Sequence, residues 1–296
     1  MHCSLAGLVL ALSPLPPGLN EFTRLEGRGG ALSVIRKASA AAVGRALADG
    51  KQLLEIEFPP LLETKTQFDD FSNVEVLDAN RDFGVQLAIE PEVKNKVAPE
   101  DAASLWLVFA DDGEAELAQE AWPGKAFQQC TTTSIASAIT DRGGEPLRPM
   151  GSNAADLFGG LFGPPPPPPA PPAPPPTLQL CVQPGEGGPM EDWLNLELLR
   201  EEGVPMLTVN GALDKVTSGY YSNLLNPKLA ACAERFYSQF EQVYYCKPIG
   251  AGRGWLFRVY GEPWQLHRQS KEGLTLVETY EERPTPQVCV DRLKLP

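Results

Sequence analysis

Histidine is the scarcest chemically versatile residue in this sequence, with two copies, His2 and His267. A Ser/His/Asp or Cys/His catalytic centre would therefore have to be built on His267. The sequence also lacks Gly-x-Ser-x-Gly, a phosphate-binding loop, a dinucleotide-binding glycine fingerprint and His-Glu-x-x-His. We interpret His267 as a surface or structural residue, predict no catalytic residue, and favour a non-enzymatic protein.

Positive charge is also scarce, because 25 Lys and Arg residues stand against 38 Asp and Glu residues, a net charge of -13. Nucleic-acid binding needs clustered basic residues for phosphate contacts, and the sequence has no such cluster. The longest apolar run, residues 5–12, has eight residues, whereas a membrane-spanning helix needs about 20. We expect no nucleic-acid partner and no transmembrane segment, in a protein that is soluble or peripherally membrane-bound.

The six cysteines are widely spread, without the Cys-x-x-Cys or Cys/His spacing that indicates a metal site. We therefore expect no metal and no cofactor. Cys181 and Cys232 lie in apolar segments, which favours buried thiols in a reducing compartment over a disulfide framework. The alternative is redox regulation, for which Cys246 and Cys289 are the candidates.

The first 20 residues contain no acid, but their apolar run lacks the Lys or Arg that precedes a signal-peptide core. Residues 1–15 are a candidate remnant of a targeting segment. Eleven of the 30 prolines lie in residues 164–176, which predicts an exposed polyproline II spur. Such a spur could bind an SH3-like or profilin-like domain, but we favour a low-complexity expansion in a tolerant loop.

Apolar strands alternate with amphipathic helices over most of the chain. The predicted strands are 53–58, 105–110, 131–140, 178–182 and 206–209, and the predicted helices are 31–48, 80–90, 114–122 and 193–202. A helix over 228–242 then precedes strands at 243–246, 255–260, 265–267 and 274–280, with a hairpin turn at 250–254. The predicted fold class is α/β: a three-layer, mostly parallel sheet flanked by helices, with a C-terminal antiparallel, aromatic-rich extension. We expect one domain over residues 16–283, with a Gly/Pro-rich insertion at 141–176 and a tail at 284–296.

Ligands of parallel α/β sheets bind beyond the carboxyl ends of the strands. The polar residues predicted at these ends include Asp111, Asp112, Gln183 and Asn210. They form a candidate site for a nucleotide or another small molecule. Simpler roles are available for three of them, because the aspartates can cap a helix and Asn210 with Gly211 favours a turn.

Aromatic residues are dense between residues 220 and 264. Most of them must form the core between the last predicted helix and the antiparallel strands. Tyr220, Tyr221, Arg258 and Trp264 are candidates for a partner-binding surface, since Tyr, Trp and Arg are enriched at interface hot spots. The sequence leaves core packing and partner binding open for these residues.

A family resemblance rests on six segments: LEIEFPP (54–60), ANRDF (79–83), WLVFADD (106–112), NGALDKVTSGYYSNLLNPKL (210–229), RFYSQFEQVYYCKPI (235–249) and GWLFRVYGEPWQL (254–266). In this order they resemble the uncharacterised domain family of plants, algae and cyanobacteria that includes the chloroplast protein low photosystem II accumulation three. The resemblance extends over nearly the whole chain, and the proline-rich insertion departs from the family pattern.

The resemblance implies a chloroplast protein, in the stroma or peripheral on the thylakoid, that assists photosystem II biogenesis through protein contacts. Its expected partners are photosystem II assembly components or the thylakoid insertase. A related domain is fused to a plastid adenylate kinase, which implies an alternative role as a nucleotide- or small-molecule-binding regulatory domain in the stroma. The resemblance supplies no catalytic residue.

Overall fold

The computed structural model describes residue 19 and residues 28–59, 74–97, 102–121, 130–148, 173–185, 190–218, 221 and 226–295. Within these ranges the chain forms one nine-stranded sheet and nine α-helices. The predicted targeting remnant and most of the predicted insertion lie outside the described residues.

The sheet contains β1 (Leu53–Glu57), β2 (Leu105–Phe109), β3 (Thr131–Ser134), β4 (Leu178–Val182), β5 (Met206–Val209), β6 (Glu241–Ile249), β7 (Gly254–Val259), β8 (Trp264–Ser270) and β9 (Gly273–Tyr280). The α-helices are α1 (Arg28–Ala48), α2 (Val74–Ala88), α3 (Pro91–Val97), α4 (Asp112–Ala121), α5 (Ile135–Asp141), α6 (Met190–Leu199), α7 (Leu213–Thr217), α8 (Pro227–Arg235) and α9 (Pro286–Lys294). Short 3-10 turns occupy Ala102–Ser104 and Tyr237–Gln239. None of these described helices is long and apolar enough to cross a membrane.

The strand order is β3-β2-β4-β5-β1-β6-β7-β8-β9. Strands from β3 to β6 in this order are parallel, and those from β6 to β9 are antiparallel. Every residue of β1, β2, β4 and β5 is buried, as expected for parallel strands covered on both faces. The predicted α/β fold, with its mostly parallel sheet and C-terminal antiparallel extension, is confirmed.

Helices cover both faces of the sheet, which gives the three predicted layers. On the first face, α1 and α2 contribute Ile35 and Leu87 to one apolar cluster. On the second face, α5, α6 and α8 contribute Ile139, Trp193 and Cys232 to another. Each helix is thus held by the apolar stripe that it buries against the strands, rather than by its intrinsic propensity alone.

The connections that follow the neighbouring strands β1 and β5 cross opposite faces of the sheet. From β1 the chain crosses the first face through α2 and α3 to β2, and from β5 it crosses the second face through α7 and α8 to β6. Adjacent strands with diverging connections are the usual place for a crevice at the carboxyl ends of a parallel sheet. Two of the three sites described below lie beside these two strands.

The prediction of a strand over residues 131–140 is wrong in its second half. The strand ends at Ser134, and α5 begins at Ile135. The Ser134 hydroxyl accepts a hydrogen bond from the backbone N–H of Ser137 at 3.1 Å, which caps the helix. The β-branched threonines favour a strand only as far as this cap.

The predicted helix over residues 228–242 is also too long. Helix α8 ends at Arg235, a 3-10 turn follows, and β6 begins at Glu241. Aromatic packing explains the early end, because the rings of Phe236 and Phe240 meet at 5.2 Å between centroids. The hydroxyl of Tyr237 also donates to the carbonyl of Trp193 at 2.5 Å, which fixes the turn on α6.

The antiparallel extension follows the predicted pattern of hairpins. The turn at 250–254 joins β6 to β7, as predicted, and a Cβ atom on Gly254 would lie 2.3 Å from the carbonyl oxygen of His267. His267 itself is 2% exposed, which lowers its pKa to about 4 through burial. It is therefore a neutral interior residue of this extension.

Helix α9 lies within the segment that the sequence predicts as a tail. It begins after Thr285, whose hydroxyl accepts from the backbone N–H of Val288 at 3.3 Å. Cys289 and Leu293 on this helix are buried with Trp264 and Leu266 of β8. The helix thus covers the second face of the antiparallel strands.

Candidate functional site

Two glutamates occupy the second face of the central strand β1. Side chains alternate along a strand, so Leu54 and Ile56 point into the first-face cluster, whereas Glu55 and Glu57 point the other way. Glu55 is 0% exposed and Glu57 is 3% exposed. Buried carboxyl groups are costly unless they are paired, hydrogen-bonded or protonated, which makes this pair a candidate functional feature.

Glu57 is held by an ion pair with β6. The ammonium of Lys247 lies 2.8 Å from Glu57 Oε1 and donates to Asp214 Oδ2 at 3.2 Å. The other oxygen of Glu57 accepts the backbone N–H of Ala212 at 3.2 Å. Burial alone would lower the pKa of Lys247, but Glu57, Tyr245 and Asp214 raise it well above its ordinary value, so the amine stays charged.

Asp214 at the start of α7 accepts two hydrogen bonds and forms an ion pair with Arg283. It accepts from Lys247 and from the hydroxyl of Tyr245, the latter at 2.8 Å, and its Oδ1 lies 2.6 Å from Arg283 Nη2. Burial opposes its ionisation, but Lys247 and Arg283 outweigh burial and lower its pKa to about 2. We call Glu55, Glu57, Asp214, Tyr245, Lys247 and Arg283 the charge cluster.

Glu55 is the least satisfied member of the charge cluster. Gln242 Nε2 donates to Glu55 Oε2 at 3.0 Å, but Oε1 has no hydrogen-bond partner among the described residues. Burial, followed by the negative charges of Asp214 and Glu57, raises the pKa of Glu55 from 4.5 to about 8. The carboxyl group of Glu55 is therefore mostly protonated at neutral pH.

The charge cluster is balanced while Glu55 is protonated. The two carboxylates, Glu57 and Asp214, face the two cations, Lys247 and Arg283. Burial raises the pKa of Glu57, and the 2.8 Å contact with Lys247 offsets part of that rise. Chemically, the arrangement can hold and release one proton, and the partly exposed Lys247, Asp214 and Arg283 connect it to solvent.

The predicted partner-binding residues lie partly beside the charge cluster. Arg258 Nη2 pairs with Glu241 at 2.8 Å, and the guanidinium lies 5.3 Å from the centre of the Trp264 ring. Trp264 is 2% exposed, so it supports this surface from within. Tyr221 packs instead against the second-face core, and Tyr220 lies outside the described residues. Partner binding through these residues stays a prediction.

The predicted ligand-binding residues Gln183 and Asn210 are buried at the carboxyl ends of β4 and β5. Asn80 joins them, because it donates to Gln183 Oε1 and accepts from Asn210 Nδ2, both at 2.6 Å. Asn210 Oδ1 accepts the backbone N–H of Phe58 at 2.8 Å. This network ties α2 to three strand ends, and only Gln183 Nε2 lacks a partner among its described side-chain atoms.

The other two predicted ligand-binding residues, Asp111 and Asp112, are exposed at the start of α4. Asp111 Oδ1 accepts the backbone N–H of Glu114 at 2.9 Å, which is a helix cap, and Asp112 accepts from the Ser137 hydroxyl at 2.8 Å. A cavity of about 10 Å³ separates Gln183 from Glu114, which is room for about one water molecule.

An apolar groove runs between α6 and α8. It has a volume of about 400 Å³, and its apolar lining comes from Leu147, Leu194, Leu198, Pro227 and Ala231. Leu147 and Leu198 are 42% and 50% exposed. Its polar rim holds Lys228 and the pair in which Arg235 donates to both carboxylate oxygens of Glu197, at 2.7 and 2.5 Å.

Comparison with known protein families assigns this chain to one of them. Residues 32–290 match the family described as a domain of unknown function, DUF1995. The chain belongs to the DUF1995 family. The match includes the whole sheet, the charge cluster and the groove between α6 and α8. No protein of curated function and no solved structure is significantly similar to the chain.

The charge cluster of this DUF1995 domain was missed by sequence reasoning. LEIEF predicts a strand, and its two acids at alternate positions were the signal that one face is polar. Lys247 alternates with Tyr245 in the same way on β6. Nothing local marks Arg283, which lies 226 positions after Glu57 in the chain and meets the cluster only through the folded sheet.

Proposed function

We propose that this DUF1995 protein is a non-enzymatic accessory factor that holds a partner polypeptide. Its place of action is the chloroplast, in the stroma or on the thylakoid surface, and its process is photosystem II biogenesis. The resemblance in the six sequence segments supports the location and the process. The groove between α6 and α8 is the structural observation that supports partner binding.

The groove suits an apolar segment of a partner protein. Leu147 and Leu198, which are close to half exposed, line this concave surface between two helices, and an apolar groove of this kind can receive the apolar face of a partner helix. Burying a leucine contributes about 1.5–3 kcal/mol. Lys228 on the rim favours a partner that carries an acidic residue next to its apolar segment.

A nucleotide- or small-molecule-binding regulatory role is the second candidate. The unpartnered Nε2 of Gln183, at the carboxyl end of β4, is the observation that favours it. A specific ligand at 100 times its dissociation constant stabilises a protein by about 2.7 kcal/mol. A thermal-shift screen of nucleotides and plastid metabolites should then give a hit that Gln183→Leu abolishes, and a flat screen counts against this role.

Affinity capture with a groove variant tests the leading proposal. The tagged full chain is incubated with soluble and thylakoid fractions of chloroplasts, and retained proteins are identified by mass spectrometry. We expect wild type to retain photosystem II core subunits or the thylakoid insertase, and Leu198→Glu to lose them. Leu276→Glu is the matched control, because Leu276 is a similarly exposed leucine on β9.

Two results would contradict the proposal. One is equal capture by wild type and a folded Leu198→Glu variant, which would exclude the groove as the binding surface. The other is a wild-type protein that retains neither photosystem II subunits nor the insertase from either fraction.

A further inference from the structure

The charge cluster connects three parts of the chain to the central strand. Asp214 belongs to α7, Lys247 to β6, and Arg283 to the connection between β9 and α9. All three reach toward Glu57 or toward each other across the second face, beside Glu55. A change of charge on Glu55 therefore acts on α7 and on two other elements at once.

Ionisation of Glu55 removes the balance of charge in the cluster. The groups that face it are two carboxyl groups, Glu57 and Asp214, two basic groups, Lys247 and Arg283, and the hydroxyl of Tyr245. Among the described residues of the cluster, a third carboxylate has no further cation to pair with. Gln242 and Arg283 favour the ionised form of Glu55, but burial, Asp214 and Glu57 outweigh them, and Oε1 has no donor among the described residues.

Helix α7 transmits this repulsion to the groove. It has five residues and carries Asp214 on the charge cluster and Val216 in the second-face core. Val216 shares that core with Leu229 and Cys232 of α8. Helix α8 forms one wall of the groove and packs against α7. Displacement of α7 would therefore remove packing contacts that hold this wall in place.

We propose that Glu55 is a pH-sensitive switch that controls α7 and, through α8, the width of the groove. Protonated Glu55 keeps α7 docked on the sheet, and ionised Glu55 loosens it at alkaline pH. The effect on partner capture rests on the function proposed above, whereas the movement of α7 is a property of the free protein.

Hydrogen exchange on the free full chain tests the movement. Backbone amides of residues 213–217 are compared at pH 7 and pH 9, after correction for the intrinsic pH dependence of exchange. In wild type we expect exchange of α7 to rise about tenfold, since pH 9 lies about one unit above the midpoint of Glu55 ionisation. Glu55→Gln keeps the shape and removes the charge, so its α7 should exchange equally at both values.

Glu278→Gln is the matched control, because Glu278 pairs with Arg292 outside the charge cluster. It should retain the wild-type change. Carbon-detected NMR of wild-type carboxyl groups provides a second measurement that does not depend on the folding of any variant. One glutamate should titrate near pH 8, and its absence overturns the proposal.

Equal exchange of α7 at both pH values in wild type also overturns the switch, as does the same increase in Glu55→Gln. Partner capture at pH 7 and pH 9 completes the test, with weaker capture expected at pH 9 in wild type alone. Capture that is present and independent of pH overturns the link to the groove. If no photosystem II protein is captured at either pH, the partner proposal fails, while exchange and NMR still decide the switch.

Discussion

At the scale of single residues, Glu55 makes the stability of the protein depend on pH. Its pKa is about 8 in the folded chain and 4.5 ordinarily. Between these values the folded chain keeps a proton that the unfolded chain has released, so the free energy of unfolding falls as pH rises from about 4.5 to about 8 and stays low above.

Glu55→Gln should remove this dependence. We expect the variant to be more stable than wild type at pH 9 by about 1.4 kcal/mol or more, the equivalent of one pKa unit. At pH 4 the two proteins should be close in stability. Urea unfolding at both values measures the difference, and parallel pH profiles for the two proteins would show that Glu55 carries no raised pKa.

The residue scale also shows what local sequence could not reveal about the site. The exposed Asp111 forms a helix cap, one of the simpler roles that the sequence offers it. Gln183 and Asn210 do lie at neighbouring strand ends, as the strand-end argument predicts, and their side chains are joined by Asn80, which is buried inside α2 rather than at its start. Contacts between a residue in the middle of a helix and the ends of strands can be predicted only when the order of the strands in the sheet is known.

At the scale of elements, α5 depends on its cap. Ser134 is 0% exposed, and its hydroxyl serves the N–H of Ser137. Loss of such a cap costs about 0.5–2 kcal/mol. We expect Ser134→Ala to lower the free energy of unfolding by that amount in urea, whereas Ser218→Ala, at an exposed helix end, should change it little. Equal effects would mean that the cap does not stabilise α5.

The boundaries of helices and strands could be predicted where one hydrophobic pattern dominates the sequence. They could not be predicted where contacts with distant residues end the element. The boundaries of β4 and β5 match the sequence prediction because both strands are continuous apolar runs buried on both faces. The end of α8 was missed because Phe236 and Tyr237 fit a helical pattern equally well, and the ring contact and hydrogen bond that fix Tyr237 are made with Trp193 of α6.

At the scale of the whole molecule, the distribution of cysteines indicates which thiols can react. Of the five cysteines that the structure describes, Cys130 is partly exposed and Cys181, Cys232, Cys246 and Cys289 are buried. Burial raises the thiol pKa at all five positions, which further suppresses the reactive thiolate.

A thiol reagent applied to the native protein should therefore modify Cys130 before the other four. Mass spectrometry of tryptic peptides gives the order of labelling, and addition of urea should make all five react. Labelling of Cys246 or Cys289 as early as Cys130 in the native protein would contradict this order and revive redox regulation at that pair.

The position of β1 has a consequence for how the chain folds during synthesis. Leu54 pairs with Leu207 on one side and with Glu241 on the other. Strand β1 thus has no neighbour in the sheet until the chain has been synthesised as far as β5, 153 positions after Leu54. Pairing over such separations is slow, and until then a strand with one apolar face and two unpaired edges is open to wrong association. We therefore expect a chaperone that covers β1 during synthesis to raise the yield of folded protein.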